Sequence, residues 1–191
     1  MRRVRGRSLT IVGDLAQRSA STAERWEDIL PKELAGAQRQ DLTVNYRSPA
    51  EIHALAVTVL ADYAPTIAPS VALRTSGFSP EFHQVDDISN VLDDLIGQAL
   101  LSVGGLVAVL DVAADTRVSV HRRKDDDVGR VRFLTPNQAK GLEFDVVVLV
   151  EPSHIWAADG GAAQLYIALT RATQRLTIVH TEALPEPLIS Q

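Results

Sequence analysis

The sequence predicts an α/β fold, a parallel sheet with helices on both faces, and three observations carry that reading. Short aliphatic runs at residues 106–110, 131–134, 146–150 and 176–179 have the length of strands, and the third is almost pure valine, as expected where both faces are covered. Apolar residues at helical spacing, Ile52, Leu55, Ala56, Val59, Leu60 and Tyr63, precede those runs. Strands that alternate with helices need crossover connections, which make neighbouring strands parallel.

In chain order, residues 8–12 are β-branched and apolar and stop at Gly13-Asp14, which suits a buried strand ending in a functional turn. The polar stretch 19–40 holds a short predicted helix around 22–30, ended by Pro31. Residues 1–40 therefore read as the tail of another domain or a linker. From Asp41 the pattern is regular: a strand at 42–45, then Ser48-Pro49-Ala50-Glu51, which offers an N-cap serine, a first-turn proline and an N3 glutamate. A helix is expected from there to Pro65, which places Arg47 at a strand-to-helix junction. A loop rich in Pro, Ser and Thr covers 65–80, and a strand is expected at 81–85. Ile88, Val91, Leu92, Leu95 and Ala99 describe a second amphipathic helix ended by Gly104-Gly105. Residues 41–184 form the expected domain, and 185–191 read as a tail.

At 191 residues and 46% hydrophobic content the chain can bury a real core. It has no cysteine, which excludes disulfides and Cys-based metal sites, and its five histidines show no ligand spacing. No run approaches the roughly 20 apolar residues of a membrane span, and the start lacks a signal-peptide core, so a cytoplasmic protein with no membrane partner is expected. A net charge of -5 does not describe a free-standing nucleic-acid binder. Arg2, Arg3, Arg5 and Arg7 make the start basic, while Asp86, Asp87, Asp93, Asp94 and Asp125, Asp126 and Asp127 read as solvated acidic loops and helix faces.

Three separated stretches put Gln, Arg or Lys beside a strand end or helix start, where α/β proteins do phosphate chemistry. They are VGDLAQ (12–17), VNYRS (44–48), and LTPNQAKGLEFDVVVLVEP through LYIALTRA (134–172). No G-x-x-x-x-G-K-[ST] occurs, and the only lysines are Lys32, Lys124 and Lys140. A guanidinium is a planar, permanently charged fork that reaches two phosphate oxygens, so Arg47 and Arg171 are the leading candidates; a surface ion pair is the alternative for each. Leu165, Ala168, Leu169 and Ala172 make a core stripe that leaves Tyr166, Thr170 and Arg171 to other faces. Trp26 and Trp156 either pack or stack on bases, with packing favoured.

In order, VGDLAQ, NYRS, LTPNQAKGLEFD and LYIALTRA resemble motifs III, IV, V and VI of superfamily 1 helicases of the UvrD and Rep type, with GDLAQ and the compact spacing nearest the HelD and helicase IV-like branch. The resemblance implies a RecA-like (P-loop NTPase-type) second motor domain, called 2A, lacking its own P-loop and preceded by the end of the first. In that family two RecA-like domains clamp ATP, and the first supplies the Walker A lysine and the magnesium ligands. The implied cofactors are thus ATP and Mg2+, with no Mg2+ ligand in this chain. The implied partners are the N-terminal RecA-like domain, single-stranded DNA and, through the HelD branch, RNA polymerase.

By the same resemblance Arg47 and Arg171 hold the γ-phosphate, and Gln17 senses it. Tyr46 stacks on adenine, Gly141 allows close backbone approach and Glu143 accepts from the ribose hydroxyls. Thr135, Gln138 and Lys140 meet the nucleic acid, although Gln138 stands where many relatives have histidine. Asp14 is expected to shape a turn. The implied activity is that of an ATP-dependent DNA helicase or translocase, inactive as this chain alone. The alternative is a non-catalytic docking module, for example for RNA polymerase.

Overall fold

The computed structural model describes residues 9–18, 25–34, 36–113 and 129–189. Among these, β1 (Val44–Asn45) and β2 (Val71–Ala72) form a two-stranded ribbon. The main sheet holds β3 (Glu81–Gln84), β4 (Val107–Leu110), β5 (Val131–Leu134), β6 (Phe144–Val150) and β7 (Ala172–His180) in the order β3-β7-β6-β4-β5. Every pairing is parallel, as the alternation of strands and helices requires.

The valine run shows why the sheet is buried on both sides. Val146, Val148 and Val150 face one cluster with Val107, Val109 and α2 (Leu92–Ser102), through Leu92, Leu95, Ile96 and Ala99. Val147 and Leu149 face the other, with Ala108, Leu110, Leu176 and Ile178. That second face is covered by α1 (Ala50–Tyr63), α4 (Pro152–Ala157) and α5 (Gly161–Leu169). Side chains alternate across a strand, so a segment covered twice needs aliphatic residues at every position.

Asp145, the last residue of GLEFD, ties the N-terminal ends of the strands together. Its Oδ2 accepts from the Leu106 N–H at 2.8 Å and its Oδ1 from Gln174 Nε2 at 2.6 Å. A Cβ on Gly105 would lie 1.7 Å from that Oδ2, so the glycine is the room the carboxylate occupies.

Several expectations need correction. Residues 9–12 are exposed and form no strand, consistent with an apolar run that has no sheet to join. The helix expected around 22–30 reduces to a 3-10 turn, Trp26–Asp28; residues 19–24 lie outside the described residues. The N-cap of α1 is Pro49, not Ser48. Ser48 instead donates to the Thr170 carbonyl at 3.4 Å, and the Glu51 carboxylate accepts from the Ser76 and Gly77 N–H groups. The expected loop 65–80 contains β2, held by the Val71 N–H to the Thr43 carbonyl. The tail is α6 (Glu186–Ile189), with Leu188 buried against the core and Thr58 Oγ1 donating to the Pro187 carbonyl at 2.6 Å. Trp156 packs on the core and Trp26 covers Gly13, so both have structural contacts. Arg2, Arg3, Arg5, Arg7, Lys124 and Asp125, Asp126 and Asp127 lie outside the described residues.

Candidate functional site

Four junctions meet at one place. The first is the turn from β1 into α1, where Asn45 Oδ1 accepts from the Arg47 N–H at 2.8 Å and the Ser48 N–H at 3.2 Å. An Asn side chain bonding the backbone two residues on is the local reason the chain turns here. Arg47 Nε donates to Glu143 Oε1 at 2.5 Å, and both side chains stay partly open to solvent, at 39% and 50%.

The second junction follows β5. Thr135 caps α3 (Pro136–Ala139): its hydroxyl accepts from the Gln138 N–H at 3.2 Å, and Gln138 Oε1 accepts from the Thr135 N–H at 2.9 Å. This is a reciprocal capping box, legible in T-P-N-Q, so both side chains have local work in addition to the nucleic-acid role expected of them. Gly141 follows with φ of 82°, and nothing lies within 4 Å of a Cβ placed on it. The left-handed backbone conformation by itself demands glycine here.

The third junction runs from α5 into β7. Arg171 has no exposed surface. Its Nε donates to the Ile167 carbonyl at 3.1 Å, Nη1 to the Leu142 carbonyl at 3.1 Å, and Nη2 to Thr170 Oγ1 at 3.1 Å and Gln17 Oε1 at 3.4 Å. The expectation that Arg171 and Tyr166 face away from the core is therefore wrong; both are buried, and carbonyl acceptors make burial of the guanidinium tolerable. Burial, then the nearby Arg47, lowers the Arg171 pKa to about 10, opposed by Glu143, so it remains charged at neutral pH. Burial likewise pushes the Tyr166 hydroxyl up to about 12.

The fourth is the N-terminal turn. Asp14 Oδ1 accepts from the Ala16 N–H at 2.9 Å and Oδ2 from Gln17 Nε2 at 2.6 Å, so Asp14 does shape the turn. Ala16 is 3% exposed within the core, and its carbonyl accepts from the Tyr63 hydroxyl. The Gln17 carbonyl accepts from Lys140 Nζ at 2.7 Å. Gln17 thus lies over Arg171 and is held by two cations.

Gln17, Arg47, Lys140, Gly141, Glu143 and Arg171 are brought together, with Leu142 and Glu143 as the shared loop. Tyr46 is not drawn in: it is 71% exposed and has no ring contact with the others. Among the described residues no group of three or more His, Cys, Asp or Glu is placed to hold a metal ion, and no helix is long and apolar enough to cross a membrane.

Sequence reading missed a second polar cluster at the carboxyl ends of the central strands. Glu151 has φ of 42° and is buried, with Oε1 accepting from the Thr181 N–H at 2.6 Å. His154 Nε2 lies 3.0 Å from Glu182 Oε1, and burial raises the pKa of Asp111. The signal was an acidic residue directly after the valine run.

The sequence profile of the UvrD-like helicase C-terminal domain matches residues 130–179. That stretch runs through β5, β6 and β7 and carries Thr135 through Arg171; Gln17, Tyr46 and Arg47 lie outside it. The fold is similar to the C-terminal domain of a possible DNA helicase from Lactobacillus plantarum WCFS1, with a TM-score of 0.55 and 19% identity over 75% of this chain and 92% of that one. The PRRSV helicase (TM-score 0.40, 15% identity) and the arterivirus nonstructural protein 10 helicase (TM-score 0.34, 22% identity) also match, over 74% and 72% of this chain but only 23% and 25% of theirs. No curated protein matches the chain. The chain is thus similar to a UvrD-like helicase C-terminal domain over residues 130–179, and its parallel α/β fold is similar to that of the bacterial domain.

Proposed function

We propose that this chain is the second motor domain of an ATP-dependent DNA helicase or translocase, completing an ATP site whose Walker A lysine and Mg2+ ligands come from a separate RecA-like domain. One observation carries the reading: Arg47 and Arg171, from elements far apart in sequence, end on consecutive residues of one loop, Glu143 and the Leu142 carbonyl. The two guanidinium groups repel, Arg47 being the second cause of the lowered Arg171 pKa, and the Glu143 carboxylate opposes that repulsion in the place a phosphate would take.

In this reading a γ-phosphate competes with protein acceptors already in place. Glu143 gives up Arg47 most readily, because that pair is solvent-exposed. At Arg171 the longest contact is the 3.4 Å bond to Gln17 Oε1, so Nη2 is the corner of the fork that a phosphate oxygen takes when Gln17 moves. Lys140 holds the carbonyl of the same glutamine. Displacing Gln17 therefore frees one Nη2 donor of Arg171 and the Lys140 ammonium together, which links nucleotide occupancy to a cation available for a DNA phosphate. Tyr46, exposed one residue before Arg47, offers its ring to the adenine.

By itself the chain should show no magnesium-dependent ATP turnover, measured on a preparation freed of contaminating ATPases. Joined to a Walker-bearing domain it should hydrolyse ATP faster when single-stranded DNA is present. Robust turnover by the isolated chain would overturn the shared-site reading.

A further inference from the structure

Arg74 makes three side-chain bonds that no assigned role explains, and it lies outside the profile match. Its Nε donates to the Tyr46 carbonyl at 3.0 Å, and its Nη2 donates to the carbonyls of Arg47 and Thr173. The Arg74 carbonyl in turn accepts from the Ala50 N–H at 2.8 Å, the first N–H of α1. One residue thus clamps the backbone at Arg47 to the start of β7, two residues beyond Arg171. The Arg47 N–H is fixed from the other side by Asn45 Oδ1.

We propose that Arg74 is a positioning residue that sets where Arg47 stands relative to Arg171. The inference rests on the phosphate-binding reading of those two arginines. Chemistry favours arginine here because a planar fork with donors at Nε and Nη spans carbonyls of separate segments, whereas a lysine ammonium is a single point. Arg74 is solvent-exposed, so its bonds add only modestly to stability. A misplacement of about 1 Å in a catalytic group can cost ~100-fold in rate. The consequence of losing Arg74 should therefore appear in turnover far more than in folding.

The test compares Arg74→Lys with Arg47→Ala. In the isolated chain, NMR should show the Arg47 Nε–H, bonded to Glu143, exchanging several-fold faster in Arg74→Lys than in the native protein, while the backbone amide spectrum and Tm stay close to native. In the assembled motor, Arg74→Lys should lower kcat about 10- to 100-fold with little change in KM for ATP. Added to Arg47→Ala it should lower kcat no further, because the two act through one group. An unchanged Nε–H exchange and kcat, or an equal further loss in the Arg47→Ala background, would overturn the proposal. If Arg47→Ala itself leaves kcat unchanged, the phosphate reading fails, and Arg47 Nε–H exchange in Arg74→Lys still decides whether Arg74 positions it.

Discussion

Arg171 and Arg47 reach the same loop by opposite physical means. Arg171 has no exposed surface and four hydrogen-bond acceptors; Arg47 is 39% open and has one carboxylate. The first is part of the fold before it is part of any chemistry, and the second can change partner at little cost. Loss of activity after substitution therefore means different things at the two positions. Because Arg171 is buried among its acceptors, Arg171→Ala should disturb folding as well as chemistry.

That contrast can be broken by stability measurements. Arg171→Ala strands the Leu142 carbonyl, leaves the Ile167 carbonyl only the Thr170 hydroxyl and opens a void, so it should cost about 3 kcal/mol in urea unfolding; a loss under about 1 kcal/mol would mean the guanidinium is not integral to the core. Gly141→Ala must hold φ of 82° with a Cβ, and should cost about 1 to 2 kcal/mol by the same assay without any steric clash. Arg47→Ala removes an exposed ion pair and should change stability by less than about 1 kcal/mol.

The smallest effect belongs to the second cluster. Glu182, then Glu151 and Asp111, raise the His154 pKa above its ordinary value of 6.5. A raised folded pKa means the contribution is fully present below the unfolded value and is lost as pH rises through the folded one. The urea midpoint should therefore fall slightly between about pH 6 and pH 8, by well under ~1 kcal/mol for an exposed pair, and His154→Gln should flatten that part of the profile. A midpoint that rises over this interval in the native chain alone would contradict the assignment.

The parts of the fold legible in the sequence were those where burial dictates residue type at every position. Val146 to Val150 read as a doubly covered strand, and the spacing of Ile52, Leu55, Ala56, Val59 and Leu60 read as a helix face. Polar residues were harder because one side chain has several ways of satisfying itself. Ser48 looks like an N-cap yet bonds the Thr170 carbonyl, a partner 122 residues away that only the fold supplies. Thr135 and Gln138 form the capping box the sequence does spell, but the family resemblance drew both toward nucleic acid. Arg171 was expected on another face because Leu165, Ala168, Leu169 and Ala172 make the core stripe; nothing local shows that Ile167 and Leu142 aim carbonyls at it. The clamp by Arg74 was invisible for the same reason.

The most direct test of the account is ATP turnover by the assembled motor with Arg47→Ala, since this substitution spares the fold. Arginine fingers contribute about 10³- to 10⁵-fold in phosphoryl transfer, so turnover should fall by at least ~10³ with an unchanged unfolding midpoint. Turnover within a few-fold of the native rate would contradict it.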